Sequence, residues 1–137
     1  MNTVVDSGPV VAAADPADPR CGEVRALLRE TPGRLVIPAP VTAEVDHLIG
    51  VRVGPRTRRR FLADLAAGRF HVACLTPGEH EQALAVDERY ADLSLGLADA
   101  SLVVLAERFE TRRILSFDHR DLRAVTPLQG GAFELLP

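Results

Sequence analysis

The hydrophobic pattern divides this chain into short apolar runs and longer stripes at helical spacing. Thr3-Val4-Val5 reads as a buried strand closed by Asp6. Asp18-Pro19 looks like a helix start with proline in the first turn, followed by the stripe Val24, Leu27, Leu28 and stopped by Pro32-Gly33. Leu35-Val36-Ile37 is a second strand, cut off by Pro38 and Pro40, and Val41 to Ile49 a helix. Gly54-Pro55 opens another helix with Phe61, Leu62 and Leu65 inward and Gly68 past its end. Phe70 to Leu75 is a third strand. Thr76-Pro77-Gly78-Glu79 then fits a capping box, and its helix runs to about Tyr90. After the loop Asp92 to Gly96, a helix extends to about Phe109, with strands at Arg113 to Phe117 and Ala132 to Leu136. Strands alternating with helices predict a mostly parallel sheet covered on both faces.

Four acids stand where this pattern calls for apolar residues. Asp6 closes the first strand and Asp118 the fourth. Glu44 has Val41 and Leu48 at three and four residues; Asp99 has Leu102, Val103 and Ala106 at three, four and seven. Those offsets put each helical acid on its own apolar face. Taken singly, Asp6 and Asp118 could be turn or cap residues, and Glu44 a partly exposed acid. Asp99 is harder to dismiss, because a cap sits before a helix and not on its buried stripe.

In an open parallel sheet, ligands bind beyond the carboxyl ends of the strands, where strand order reverses. If the first and fourth strands are neighbours there, as in the order 3-2-1-4-5, Asp6 and Asp118 meet, with Glu44 and Asp99 on the same side. Like charges about 4 Å apart repel by roughly 4 kcal/mol at an effective dielectric near 20. A hard divalent cation removes the conflict, and all-oxygen ligands favour Mg²⁺ or Mn²⁺ over zinc. Phosphodiester hydrolysis by a metal-activated water is the natural chemistry of such a site.

Composition narrows the field further. The 137 residues suit one domain, 1–137, with a single sizeable core. No apolar run approaches the roughly 20 residues of a membrane span, and the N-terminus has no signal-peptide pattern, so no membrane association and a cytoplasmic location are expected. Cys21 and Cys74 have no metal-motif spacing and read as two separate, half-buried thiols. The net charge of −3 argues against a protein that simply coats nucleic acid. All sixteen basic residues are arginine, which excludes any mechanism that needs a lysine. A receiver domain is excluded on that ground, and Asp6-Ser7-Gly8 lacks the Asp-x-Asp of haloacid-dehalogenase-like phosphatases.

Val5-Asp6-Ser7, Val41-Thr42-Ala43-Glu44-Val45, Ala98-Asp99-Ala100-Ser101 and Ile114-Leu115-Ser116-Phe117-Asp118 resemble the motifs of PIN-domain proteins. More narrowly, the chain resembles VapC-type toxins of bacterial type II toxin–antitoxin systems, over nearly its whole length. The resemblance implies a three-layer α/β/α sandwich with strand order 3-2-1-4-5 and Mg²⁺- or Mn²⁺-dependent endoribonuclease activity. It also implies a homodimer inhibited by a cognate antitoxin. Carried over by motif, Asp6, Glu44, Asp99 and Asp118 would be the catalytic, metal-site acids, with Asp6 and Asp99 the firmest ligands. The usual hydroxyl pair after the first Asp is reduced here to Ser7 followed by Gly8. Ser7 could hold a water or the Asp6 carboxylate. Asp92 is either a water-mediated ligand or simply a solvated loop residue.

Arg56, Arg59 and Arg60 share one face of their helix, either as a phosphate-gripping edge or as a solvated face. With aromatic content of 4%, a base-stacking platform is poorly supported, and recognition of a structured tRNA or rRNA loop by shape fits better. His119 is not required. The competing reading is a non-catalytic PIN-like module whose acids hold a cation or a partner's arginine. Apolar surface between Val41 and Ala67 is a candidate dimer or antitoxin groove.

Overall fold

The computed structural model describes residues 1–137. Five short strands form one wholly parallel sheet: β1 (Thr3–Val5), β2 (Leu35–Pro38), β3 (His71–Ala73), β4 (Arg113–Leu115) and β5 (Glu134–Leu136). Their order is β3-β2-β1-β4-β5, so β1 lies at the centre with β2 and β4 on either side. The reversal of strand order therefore falls between β1 and β4, as the acids at their ends require.

Seven helices flank the sheet: α1 (Ser7–Ala14), α2 (Cys21–Glu30), α3 (Ala39–Arg52), α4 (Pro55–Ala66), α5 (Pro77–Arg89), α6 (Gly96–Arg108) and α7 (His119–Ala124). Adjacent strand residues face opposite sides of the sheet, and the core divides accordingly. Val5, Ile37 and Leu115 pack against Val10 and Val11 of α1 and Val41, Val45 and Ile49 of α3. Val4, Val36 and Ile114 pack the other way, against Leu102, Leu105 and Ala106 of α6 and Leu122 of α7. This is the three-layer α/β/α arrangement expected. No helix is long and apolar enough to cross a membrane.

The capping box forms as read. Thr76 Oγ1 accepts from the Glu79 N–H at 3.1 Å, and Glu79 Oε1 accepts from the Thr76 N–H at 3.0 Å. The same Glu79 oxygen accepts from Arg108 Nη1 at 2.8 Å, tying α5 to α6.

Some local readings are corrected, and two helices appear where none was read. Ser7–Ala14 is a helix, yet its sequence has no polar face and hence no 3.6-residue signal; Pro9, Val10, Val11 and Ala12 are all buried. Asp18 does not cap α2, which starts at Cys21; it closes the preceding turn by accepting from the Arg20 N–H at 2.8 Å. Leu62 points outward at 42% exposure, whereas Phe61 beside it is buried. Cys21 is buried and Cys74 exposed, and both are free thiols. The chain also turns into α7 straight after Asp118, a six-residue helix too short to show periodicity.

Candidate active site

Asp6 follows the last residue of β1, and its backbone N–H donates to the Leu115 carbonyl of β4 at 2.9 Å. Its carboxylate is held from two directions: Oδ1 accepts from the Ser7 N–H at 2.7 Å, and Oδ2 from Ser116 Oγ at 2.7 Å. Ser116 is fully buried, and its hydroxyl also accepts from the Asp118 N–H at 3.0 Å. One hydroxyl thus joins the acids at the ends of β1 and β4. Its geometry fixes its proton: it is given to Asp6, so the oxygen is free to receive Asp118's N–H. Ser7, buried itself, contributes its backbone N–H and not its hydroxyl to this arrangement.

Asp99 lies in the first turn of α6, partly buried, within a helix whose residues Ala100 to Ala106 are all buried. Its carboxyl is pushed up to about 7, first by burial and then by the charges of Asp6, Asp118, Asp121 and Glu44. Asp118 is also raised, by burial and by Asp121, partly offset by the Asp121 backbone N–H. Raised carboxyls in a shared environment mark a place where negative charge has been concentrated without a balancing cation from the protein.

Asp6, Asp99, Asp118 and Glu44 therefore share one electrostatic environment at the carboxyl end of the sheet. Glu44 differs from expectation in one respect. The buried face of α3 is Val41, Val45 and Ile49, and Glu44 is exposed beside it, acting on Asp99 from the solvent side. Asp92 is exposed in the 3₁₀ turn Ala91–Leu93 ahead of α6.

Two members of the site were not singled out from sequence. Asp121 reads as part of a polar turn, and only the helical geometry of α7 brings it back toward Asp118 and Asp99. Ser116 stands within a quoted motif, and a buried hydroxyl ending an apolar strand is the signal that marks it.

The arginines of α4 are dispersed. Arg58 pairs with Asp46 at 3.1 Å, and Arg56 and Arg59 are exposed. Arg60 lines a cleft of about 500 Å³ floored by Ile49, Phe61 and Phe70 and rimmed also by Arg25, Arg29 and Arg69. No arginine is among the principal influences on Asp99 or Asp118. His119 is half-buried, with Nε2 3.4 Å from the Leu136 carbonyl.

The donor set is carboxylate oxygen, the chemistry of a hard divalent cation. No three of the chain's His, Cys, Asp and Glu side chains are already gathered into a metal-holding group. Both oxygens of Asp6 are meanwhile occupied by protein donors.

A PIN-domain family model matches residues 3–126, spanning every acid of the site. The chain belongs to the PIN-domain family, among its VapC-type ribonuclease toxins. It is 36% identical over 134 residues to ribonuclease VapC26 of Mycobacterium tuberculosis, covering 98% of this chain and 99% of that one. In structure it resembles VapC20 of M. tuberculosis, a sarcin–ricin loop cleaving toxin. The TM-score is 0.83 at 21% identity, covering 98% of this chain and 99% of the other. It also resembles VapBC2 of Rickettsia felis, in a structure bound to a DNA fragment from its promoter, with a TM-score of 0.70 at 11% identity over the full length of both chains. At those identities the structural likenesses speak to the fold.

Proposed function

We propose that this protein is a divalent-metal-dependent endoribonuclease toxin that cleaves structured RNA, a tRNA or rRNA loop, and is neutralised by a cognate antitoxin. The observation that carries the reading is Asp99: a partly buried carboxyl pushed up to about 7 by burial and by the four acids around it. A fold with no cation of its own there is costly unless a cation is supplied. Bound by these carboxylates, Mg²⁺ or Mn²⁺ would neutralise them, acidify a water and stabilise charge on the scissile phosphate.

The residues divide the work. Asp6, fixed by Ser116 and the Ser7 N–H, is the most rigid acid and the natural anchor for the cation. Asp99 would supply a carboxylate oxygen, ionised once a cation is bound beside it. Asp118 and Asp121 present further carboxylate oxygens from the start of α7, and Glu44 closes the solvent side. Ser116 positions Asp6 and Asp118 and touches neither metal nor RNA. Products would carry a 5′-phosphate and a 3′-hydroxyl.

The likeness to VapC20, which cleaves the sarcin–ricin loop, supports a structured ribosomal loop as the class of target, in keeping with the few aromatic residues available for stacking. The likeness to VapBC2 supports an antitoxin partner. In the test, the protein is incubated with total RNA and Mn²⁺ and new 5′ ends are mapped. Discrete cleavage inside folded loops, abolished by EDTA and by Asp99→Asn, is expected. Growth arrest on expression that persists undiminished in Asp99→Asn would refute the nuclease reading in favour of a binding module.

A further inference from the structure

The acidic centre must admit a polyanion, so some group at its rim has to offer phosphate a favourable contact. The arginine run on α4 is one source of positive charge, but Arg58 is paired with Asp46 and Arg60 lines a separate cleft. A different arginine is held against the segments that carry Asp6 and Asp118.

Arg20 comes from the turn before α2, and its guanidinium carbon lies 3.8 Å from the centroid of the Phe117 ring. Phe117 stands between Ser116 and Asp118, and its ring packs against α1 at Gly8, two residues beyond Asp6. A Cβ on Gly8 would fall 3.0 Å from Phe117 Cδ2. The ring is thus fixed between the chain segments that carry the two strand-end acids, and Arg20 is laid on it.

Asp18 sets the direction of the guanidinium. Its carboxylate accepts from Arg20 Nε at 3.1 Å and from Nη2 at 3.1 Å. This pairing holds the Asp18 carboxyl below its usual range and raises Arg20. Nη1 has no hydrogen-bond partner in the protein, and the Arg20 side chain is 49% exposed. A purely structural role would be complete without this reach. The turn is already closed by the Arg20 backbone N–H on Asp18, and an exposed cation–π contact is worth only about 0.5–1 kcal/mol.

We propose that Arg20, stacked on Phe117 and aimed by Asp18, receives a backbone phosphate of the RNA next to the scissile linkage. The planar fork leaves Nη1 with two donors facing outward, which suits phosphate oxygens better than a mobile ammonium would. Asp18 and Phe117 are positioning residues, which reduce the rotamer freedom lost on binding. Phe117 also links this contact to the acids, since the ring that carries Arg20 belongs to the same three residues as Ser116 and Asp118. The assignment rests on the ribonuclease reading given above.

The test uses the full chain carrying Asp99→Asn, expected not to cleave, and a fluorescein-labelled RNA stem–loop followed by anisotropy. Arg20→Met keeps the aliphatic contact with Phe117 and removes the donors. It is expected to weaken binding about tenfold at low salt and to make the salt dependence shallower by about one ion. Arg20→Lys, with the charge but not the fork, is expected to keep the salt slope and recover only part of the affinity. A structural role alone would move the melting temperature and leave the salt slope unchanged. Equal affinity and slope for Arg20→Met and its parent would overturn the assignment while leaving the ribonuclease reading standing. Failure of the Asp99→Asn parent to bind RNA at all would overturn both.

Discussion

Asp99→Asn should stabilise the metal-free protein at alkaline pH while destroying its activity. The native carboxyl is displaced from 3.8 to about 7, by burial first and then by Asp6, Asp118, Asp121 and Glu44. At about 1.4 kcal/mol per tenfold in proton affinity, that displacement is worth about 4 kcal/mol. The carboxyl is only partly buried, so water screens part of this, and about 2 kcal/mol is the fair expectation. Because the native state holds the Asp99 proton more tightly than the unfolded chain, stability on this account is greatest at low pH. It falls as pH rises from about 4 to about 7 and stays low above that. An amide in place of the carboxyl removes the charged form. The variant should therefore unfold about 6–10 °C above wild type at pH 8 in EDTA, at about 3–5 °C per kcal/mol for a chain of this size. At pH 4.5 the gap should shrink to about half, because the unfolded Asp99 is already mostly ionised there while the native carboxyl keeps its proton. Adding Mg²⁺ at pH 8 should raise wild type toward the variant, since a ligand that binds only the native state stabilises it. The assay is thermal unfolding followed by circular dichroism across pH 4.5–8, with and without EDTA. If the variant melts no higher than wild type at pH 8, or if the gap is as large at pH 4.5, the account of Asp99 as a strained carboxyl is wrong.

Three further outcomes are expected. Ser116→Ala leaves Asp6 Oδ2 without its hydroxyl donor and the Asp118 N–H without its acceptor, which should cost about 1–3 kcal/mol in urea unfolding. Its single-turnover RNA cleavage should fall by more than tenfold, and an unchanged rate would show that the two acids hold their positions without it. Gly8→Val pushes against the Phe117 ring and should cost about 1–3 kcal/mol, part of it recovered by adding Phe117→Leu. Thr76→Ala removes the α5 capping box at about 1 kcal/mol, with no change in cleavage, because the box meets α6 at Arg108 in its last turn, whereas Asp99 lies in its first.

The strand ends carried most of what could be read from residues alone. Short β-branched runs terminated by Asp6 and Asp118 signalled both the strands and the chemistry, and the capping residues of α5 fixed its start. What escaped did so for physical reasons. α1 is apolar on nearly every side, so no periodicity marks it, and its N-cap Asp6 was already assigned to the site. α7 is too short for periodicity, and without it His119 to Asp121 looked like a turn, which hid Asp121's return toward Asp118. Glu44 shows how coarse an offset argument is: three residues from Val41 and four from Leu48 sounded like the buried stripe, yet one step around the helix is enough to expose it. Arg20 had no sequence signal, because its partner Phe117 lies almost a hundred positions away and meets it only through the β1–β4 pairing.

That pairing also governs when the protein becomes dangerous. β1 is translated first but sits in the middle of the sheet, and one of its two edges stays open until Arg113–Leu115 has been made. The hydroxyl that steadies Asp6 arrives 110 residues after it. A nascent chain carrying Asp6, Glu44 and Asp99 therefore has the ingredients of the centre but not its assembly. Loss of the last strands leaves a sheet with its central strand unpaired on one side, and not a weakened nuclease. For a toxin made on the same ribosomes that supply its proposed class of target, the topology delays competence until synthesis is almost finished. Nonsense mutations anywhere upstream of β4 should accordingly be tolerated by the cell as complete losses of toxicity.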